Sequence, residues 1–237
     1  MKDRVDCKQQ RDDDIYASAP LRRLLDAQTH VLKPALQRCF GVHALLLGAS
    51  FDDVPPALPM LGCWARLLLA GGRYQGDLRA AADEPLPFID DAFELVLLRH
   101  ALEVAPQPPS LLDEAIRVLA PGGVLALTGV HPISGWSPWF YWHARGKPPA
   151  LQMPWRLRHQ LELAGLEVEQ VQRVGSAWPG RKTTRHAPAG ASVFGGGYVL
   201  LARKRRRLAT PLRLKPALVR VPANNRLSPG TRRSAAP

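Results

Sequence analysis

Residues 86–136 read LPFIDDAFELVLLRHALEVAPQPPSLLDEAIRVLAPGGVLALTGVHPISGW, and this stretch decides the fold. Residues 93–98 (FELVLL) are a short, nearly continuous apolar run, which suits a strand covered on both faces. Ser110, with Asp113 three residues on, has the pattern of a helix capping box. It opens a segment whose apolar positions Leu112, Ala115, Ile116 and Leu119 recur at helical spacing. Pro121-Gly122-Gly123 then stops the helix and turns the chain into residues 124–128 (VLALT), a second apolar strand. Strand, helix and strand in that order predict a βαβ unit of an α/β sheet.

Outward from this unit the same rules apply. Leu21, Leu24, Leu25, Leu32, Leu36 and Phe40 mark a helical run that Pro34 should interrupt. Residues 43–47 read as a first strand ending at Gly48, and Pro55, Pro56 and Pro59 argue against a long helix after it. Residues 66–70 read as a second strand, closed by Gly71-Gly72. Beyond a Trp-rich insertion at 136–155, residues 156–164 read as a helix, and 168–174 and 198–202 as paired final strands. The loop between those strands, 175–197, is longer than most. The expected organisation is a polar N-terminal arm (1–19), one domain (20–207) and a basic, disordered tail (208–237).

At 237 residues the chain suits one domain of ordinary size with extensions. It has no run of 18 apolar residues and no apolar segment behind its charged N-terminus, so the expectation is a cytoplasmic protein. Cys7, Cys39 and Cys63 form no CxxC pair, which suggests neither a disulfide framework nor a zinc site. Of the 32 basic residues behind the net charge of +12, eleven lie from Arg203 onward with no acid among them. The 21 that precede Arg203 nearly balance the 20 acids, so the tail carries the imbalance. Such a tail suits phosphates of nucleic acid or an anionic surface, and equally a solvated, Arg-biased extension.

The LPF, its acidic turn, FELVLL and then E-A-x-R-V-L-x-P-G-G-x-L-x-L-T resemble the second half of a class I S-adenosylmethionine-dependent methyltransferase of the type 11 group. With LKP at 32–34, FGVH at 40–43 and ARKR at 202–205, the chain resembles a proteobacterial branch of that group with a degenerate glycine motif. The resemblance spans about residues 20 to 215. It implies a Rossmann-like methyltransferase fold, a mostly parallel sheet with a C-terminal antiparallel hairpin, and S-adenosyl-L-methionine as cofactor.

The resemblance also implies where the cofactor lies, beyond the C-terminal ends of the strands. Gly48 stands where the family has a glycine-rich turn, although Ala-Ser-Phe-Asp-Asp follows it in place of G-x-G. The second strand ends in Ala70-Gly71-Gly72 without the family's ribose-binding acid. The family's adenine-binding Asp falls at Ala82, so Asp83, one residue late, takes that expectation. Arg99 and His100 follow the strand predicted at 93–98, on the sulfonium side that the resemblance implies. A neutral imidazole suits that cation better than an imidazolium.

For the methyl acceptor, the segment after the strand predicted at 124–128 matters, and it includes His131 where the related pattern has Asn. His131 is the expected residue to orient or deprotonate the acceptor. Trp136 and Trp139 are the expected apolar wall of a small aromatic or apolar acceptor, although the same aromatics could instead cap the sheet as core or form a belt that touches membrane. Two other readings stand beside methyl transfer: a non-catalytic binding or scaffold protein on the same fold, motivated by the weak glycine motif, and an RNA-associated protein using the tail. A nicotinamide dehydrogenase is disfavoured, because no G-x-G-x-x-G follows the first strand.

Overall fold

The computed structural model describes residues 15–50, 53–143, 149–180 and 195–205. The first fourteen residues, most of the 175–197 loop and the tail after Arg205 lie outside them. Residue contacts divide the chain into Met1–Arg207 and Leu208–Pro237.

The strands are β1 (Gly41–Gly48), β2 (Leu61–Ala70), β3 (Arg73–Gly76), β4 (Ala80–Ala81), β5 (Phe93–Arg99), β6 (Leu119–Val130), β7 (Leu166–Val174) and β8 (Gly197–Lys204). They form one eight-stranded sheet in the order β4-β3-β2-β1-β5-β6-β8-β7. The centre, β2-β1-β5-β6, is parallel. The C-terminal strand β8 adds antiparallel to β6 and β7 antiparallel to β8, the hairpin that the resemblance implies. The other flank is also antiparallel, because Gly71 and Gly72, at φ 59° and 73°, turn β2 straight back into β3. Two consecutive positive φ values are what a two-residue hairpin turn with the right twist requires.

Helices cover both faces. Over one face lie α2 (Ala101–Val104), α3 (Pro108–Val118) and α5 (Pro154–Leu163), contributing Ala101, Leu102, Leu111, Leu112, Ala115, Val118, Leu157 and Leu161 to a core with Leu45, Leu47, Leu98 and Leu127. Over the other lies α1 (Ala19–Leu36), which packs Leu32 and Leu36 on Ala44, Leu46, Leu97 and Ala126. Alternate residues of β1 therefore face opposite cores, as a strand buried on both sides must. A third cluster, Tyr16, Leu21, Leu24, Ala49, Val130, Trp136 and Phe140, joins α1 to α4 (Trp136–His143) at the C-terminal edge of the sheet.

Several boundaries differ from the sequence expectation for physical reasons. Pro34 does not interrupt α1, because it falls in the last turn, where a missing N–H forfeits one bond and the helix ends two residues later. Ser110 is not the N-cap of α3. The cap is Gln107, Pro108 and Pro109 take the first helical positions where no N–H is needed, and the Ser110 hydroxyl donates to Gln107 Oε1 at 3.1 Å. Pro121-Gly122-Gly123 does not precede the strand but lies within β6. Leu119 already pairs with Phe93, Val124 with Leu95, and the residues between form an irregularity. Residues 53–60, part of the β1–β2 crossover, hold no helix, in keeping with their three prolines.

Candidate functional site

The C-terminal ends of β1 and β5 meet at Gly48 and His100, which form an antiparallel bridge past the end of the parallel ladder. Ala49 N donates to Arg99 O at 3.1 Å, and His100 N to Thr128 O at 3.1 Å, so the strand ends are tied across β1, β5 and β6. Asp53 folds back onto this corner. Its carboxylate occupies the space a Cβ at Gly48 would need, which gives a local reason for glycine there.

Asp53 pairs with Arg99 at 3.3 Å, both side chains being over nine-tenths buried. Arg99 also donates to Val54 O at 3.2 Å and to Thr29 Oγ1 at 3.3 Å, while Arg66 donates to Asp53 O at 3.0 Å. Burial raises the Asp53 carboxyl above its ordinary range, and the Arg99 guanidinium only partly counters it. A cleft of about 420 Å³ opens on this pair, lined among others by Tyr16, Arg22, Thr29, Ser50 and Val54. A neighbouring cleft of about 340 Å³ shares Ser50 and Asp53 and extends to Arg66, Gln75, Asp77 and Arg79 beside β2 and β3.

His100 lies at this corner, but its ring turns inward. It is fully buried and is not among the residues lining either cleft. Its Nδ1 lies 3.1 Å from both Glu103 carboxylate oxygens and its Nε2 2.9 Å from Gln28 Oε1. Gln28 Nε2 donates to Gly129 O at 3.0 Å and to Tyr198 O at 3.2 Å, which orients its amide so that Oε1 accepts from His100 Nε2–H. Tyr16 donates to Glu103 Oε2 at 2.9 Å, and Val130 N to Glu103 Oε1. His100 and Glu103 thus knit α1, β5, β6 and β8 together beneath the cleft.

Asp83 is exposed on the turn after β4. Ala82 N donates to Gly72 O at 3.0 Å, so Asp83 follows a residue pinned to the turn that ends β2, where the sequence lacks an acid. His131 follows β6, with its backbone N bonded to Gly196 O at 2.8 Å and its Nδ1 accepting from Ile133 N at 3.1 Å. Burial, and then the charge of Arg173, hold its imidazole below the ordinary value of 6.5. Trp136 is 2 % exposed, donates from Nε1 to Ser176 O at 2.8 Å and belongs to the third core cluster. Trp139 packs edge-on against it at 5.8 Å and is only partly buried. The sequence expectation of a wall made by Trp136 thus meets a side chain that closes the core, because its indole fills the space over Gly196.

Gly48 and Arg99 therefore come together at one corner, His100 supports it from below, and Asp83, His131 and Trp139 stand at separate points of the same end of the sheet. Sequence reasoning missed Asp53, Glu103, Gln28 and Tyr16. Asp53 left a trace, as an acid five residues after the strand-ending glycine. Tyr16 left none, because it sits in a stretch read as a loose arm.

Residues 59–127 match the family described as a methyltransferase domain, type 11. A 56-residue segment is 39 % identical to the "Probable phthiotriol/phenolphthiotriol dimycocerosates methyltransferase 2" of Mycobacterium ulcerans, a match covering 24 % of this chain and 22 % of that protein. The chain thus spans under a quarter of that relative's length. Among solved structures, the complex of the Haloferax volcanii Trm112 methyltransferase activator with the "putative methyltransferase" matches with a TM-score of 0.52. That match is 17 % identical and covers 84 % of this chain and 99 % of the other. A Thermotoga maritima S-adenosylmethionine-dependent methyltransferase, described as a possible histamine N-methyltransferase, gives 0.49 at 16 % identity, covering 78 % and 91 %. The fold and the domain match imply S-adenosylmethionine as the cofactor.

Proposed function

From a class I methyltransferase fold whose residues 59–127 carry the type 11 methyltransferase domain, we propose that this chain is an S-adenosylmethionine-dependent methyltransferase acting on a small aromatic or apolar acceptor. The observation that supports it most is the Asp53–Arg99 pair in the 420 Å³ cleft at the corner of Gly48. An amino-acid end carries an ammonium and a carboxylate, and a buried acid beside a buried guanidinium offers a partner for each. Asp83, beside the turn that ends β2, suits the nucleoside end. The residues present therefore fit the cofactor.

When bound, the cofactor supplies a methyl group already activated on sulfonium. What is left to the protein is alignment and the exclusion of water. Asp53 and Arg99 orient the amino-acid end, and the Gln28–His100–Glu103–Tyr16 network holds that corner rigid. His131 is held neutral near pH 7, so it can accept a proton from an acceptor that must lose one, or orient one that need not. Trp139, rather than the buried Trp136, offers an apolar surface to the acceptor. The mycobacterial relative is named for phthiotriol and phenolphthiotriol dimycocerosates, which favours an apolar acceptor here.

Calorimetry with S-adenosylhomocysteine tests the reading. The parent chain should bind. Gly48→Val and Asp53→Asn should each weaken binding by roughly tenfold or more, about 1.4 kcal/mol, and Asp83→Ala should cost about 1–3 kcal/mol. A parent that does not bind points instead to a non-catalytic binding protein on this fold, the reading that the lone glycine after β1 favours.

A further inference from the structure

We propose that the C-terminal edge of the sheet, beyond β6, β7 and β8, docks on an anionic lipid membrane through Ile133, Tyr141, Trp142, Trp155 and Trp178. Among the described residues, the exposed tryptophans are Trp142 (84 %), Trp155 (62 %) and Trp178 (58 %), and topology brings all three to this edge. Val130, Val174 and Gly197 share one register, so the residues that follow β6 and β7 leave the sheet together. Trp142 lies on α4 just beyond β6, and Trp178 lies four residues beyond β7. Helix α5 leads down into Leu166 at the opposite edge, so Trp155, at its start, lies at this one.

Trp178 and helix α4 adjoin at this edge. The Trp178 ring lies against Gly135, where a Cβ would overlap it. Gly135, Trp139 and Trp142 follow at helical spacing i, i+4 and i+7, which sets them on one stripe, and Ile133 is exposed beside it. Exposed indoles and a tyrosine with an aliphatic neighbour are the composition of a membrane–water interface.

Charge selects the kind of surface. The sequence has no Asp or Glu from Ala115 to Leu161 and none after Glu169, so the segments that build this edge carry only cationic charge. Arg156 lies 5.3 Å from the Trp155 ring centre, and Arg173 donates to Ile133 O at 2.9 Å, so cations stand among the aromatics. Paired indoles and guanidiniums suit anionic headgroups above an acyl boundary. Base stacking on RNA would need open ring faces. Here Arg156 lies over one face of Trp155 and Trp178 lies against Gly135, so these two indoles are each covered on one side, while Trp142 is the most open of the three.

The test uses the full chain with vesicles of phosphatidylcholine alone or mixed with phosphatidylglycerol, read by co-sedimentation and tryptophan fluorescence. Binding should require phosphatidylglycerol, shift the emission to the blue and weaken with salt. The double variant Trp142→Ala/Trp178→Ala should bind at least about tenfold more weakly while keeping its melting temperature, since both indoles are exposed. The proposal is overturned if the parent ignores anionic vesicles, or if the double variant binds them equally well and the basic tail alone is responsible. It is overturned too if the same tryptophans serve single-stranded RNA and not lipid. None of these readouts depends on methyl transfer.

Discussion

His100 adopts φ 56°, a left-handed conformation that costs a non-glycine residue about 1–3 kcal/mol. The cost is offset where it arises, because the same turn gives the ring two buried partners, Glu103 and Gln28. Sequence position alone suggested that this histidine faces the cofactor; its ring is fully buried and lines neither cleft. His131 is the more accessible imidazole, and its behaviour can be predicted with sign. Its folded-state pKa lies below the unfolded value, so its contribution to stability is present above about pH 6.5 and is lost as pH falls through the depressed folded value. Titration followed by NMR should place the His131 midpoint below 6.5. A midpoint at or above that value would remove the argument for a neutral base near pH 7.

At the scale of elements, the string LPF…E-A-x-R-V-L forms a clamp between the loop before β5 and the helix α3. Arg117 on α3 donates to Leu86 O at 2.9 Å and Phe88 O at 2.9 Å and binds the carboxylates of Glu114 and Asp90. Glu114 in turn accepts from Leu86 N at 2.8 Å. Lys204 of β8 donates to Ile116 O and Leu119 O, so a basic residue at the end of the last strand satisfies carbonyls at the helix C-terminus. Arg117→Ala should therefore lower unfolding free energy by about 1–3 kcal/mol in urea, since two part-buried carbonyls lose their donor. Hydrogen bonding by Arg117 holds Glu114 below its ordinary pKa of 4.5, and that stabilisation is lost as pH falls through the depressed value. The penalty of the substitution should shrink on acidification to that range. An unchanged urea midpoint at neutral pH would show that the clamp contributes nothing. The βαβ unit around it was legible because periodicity and turn residues act locally. The first turn of α3 was misread, because Pro108 and Pro109 already fill the helix start that Ser110 was expected to cap.

For the whole molecule, charge and fold belong to different parts of the chain. The basic residues from Arg203 onward carry nearly all of the net +12, and the sequence there lacks both acids and helical periodicity. Deleting residues 216–237 should leave the melting temperature nearly unchanged and make any binding to polyanions weaker and less salt-dependent. A large fall in melting temperature on calorimetry would show that this segment contributes to the folded domain. Among the described residues no helix is long and apolar enough to cross a membrane, so the lipid contact proposed above is one of surface and not of span.

The sequence by itself determined the α/β class, the helices α1, α3 and α5 and the centres of the central strands, although β2 and β6 begin at Leu61 and Leu119, well before the runs read as strands at 66–70 and 124–128. Each depends on apolar spacing and turn chemistry within a short window. Gly48 and Arg99 were legible as strand ends, because apolar runs and turn residues mark where β1 and β5 stop. Only the tertiary structure decided that Asp53 folds back on Gly48 to pair with Arg99, that β2 reverses into a hairpin, and that Trp136 closes the core while Trp142 and Trp178 face outward. Those outcomes depend on which side of a chain reversal meets a neighbour far away in sequence. Gln28 reaches His100, and Tyr16 reaches Glu103, only once the sheet has brought their segments together.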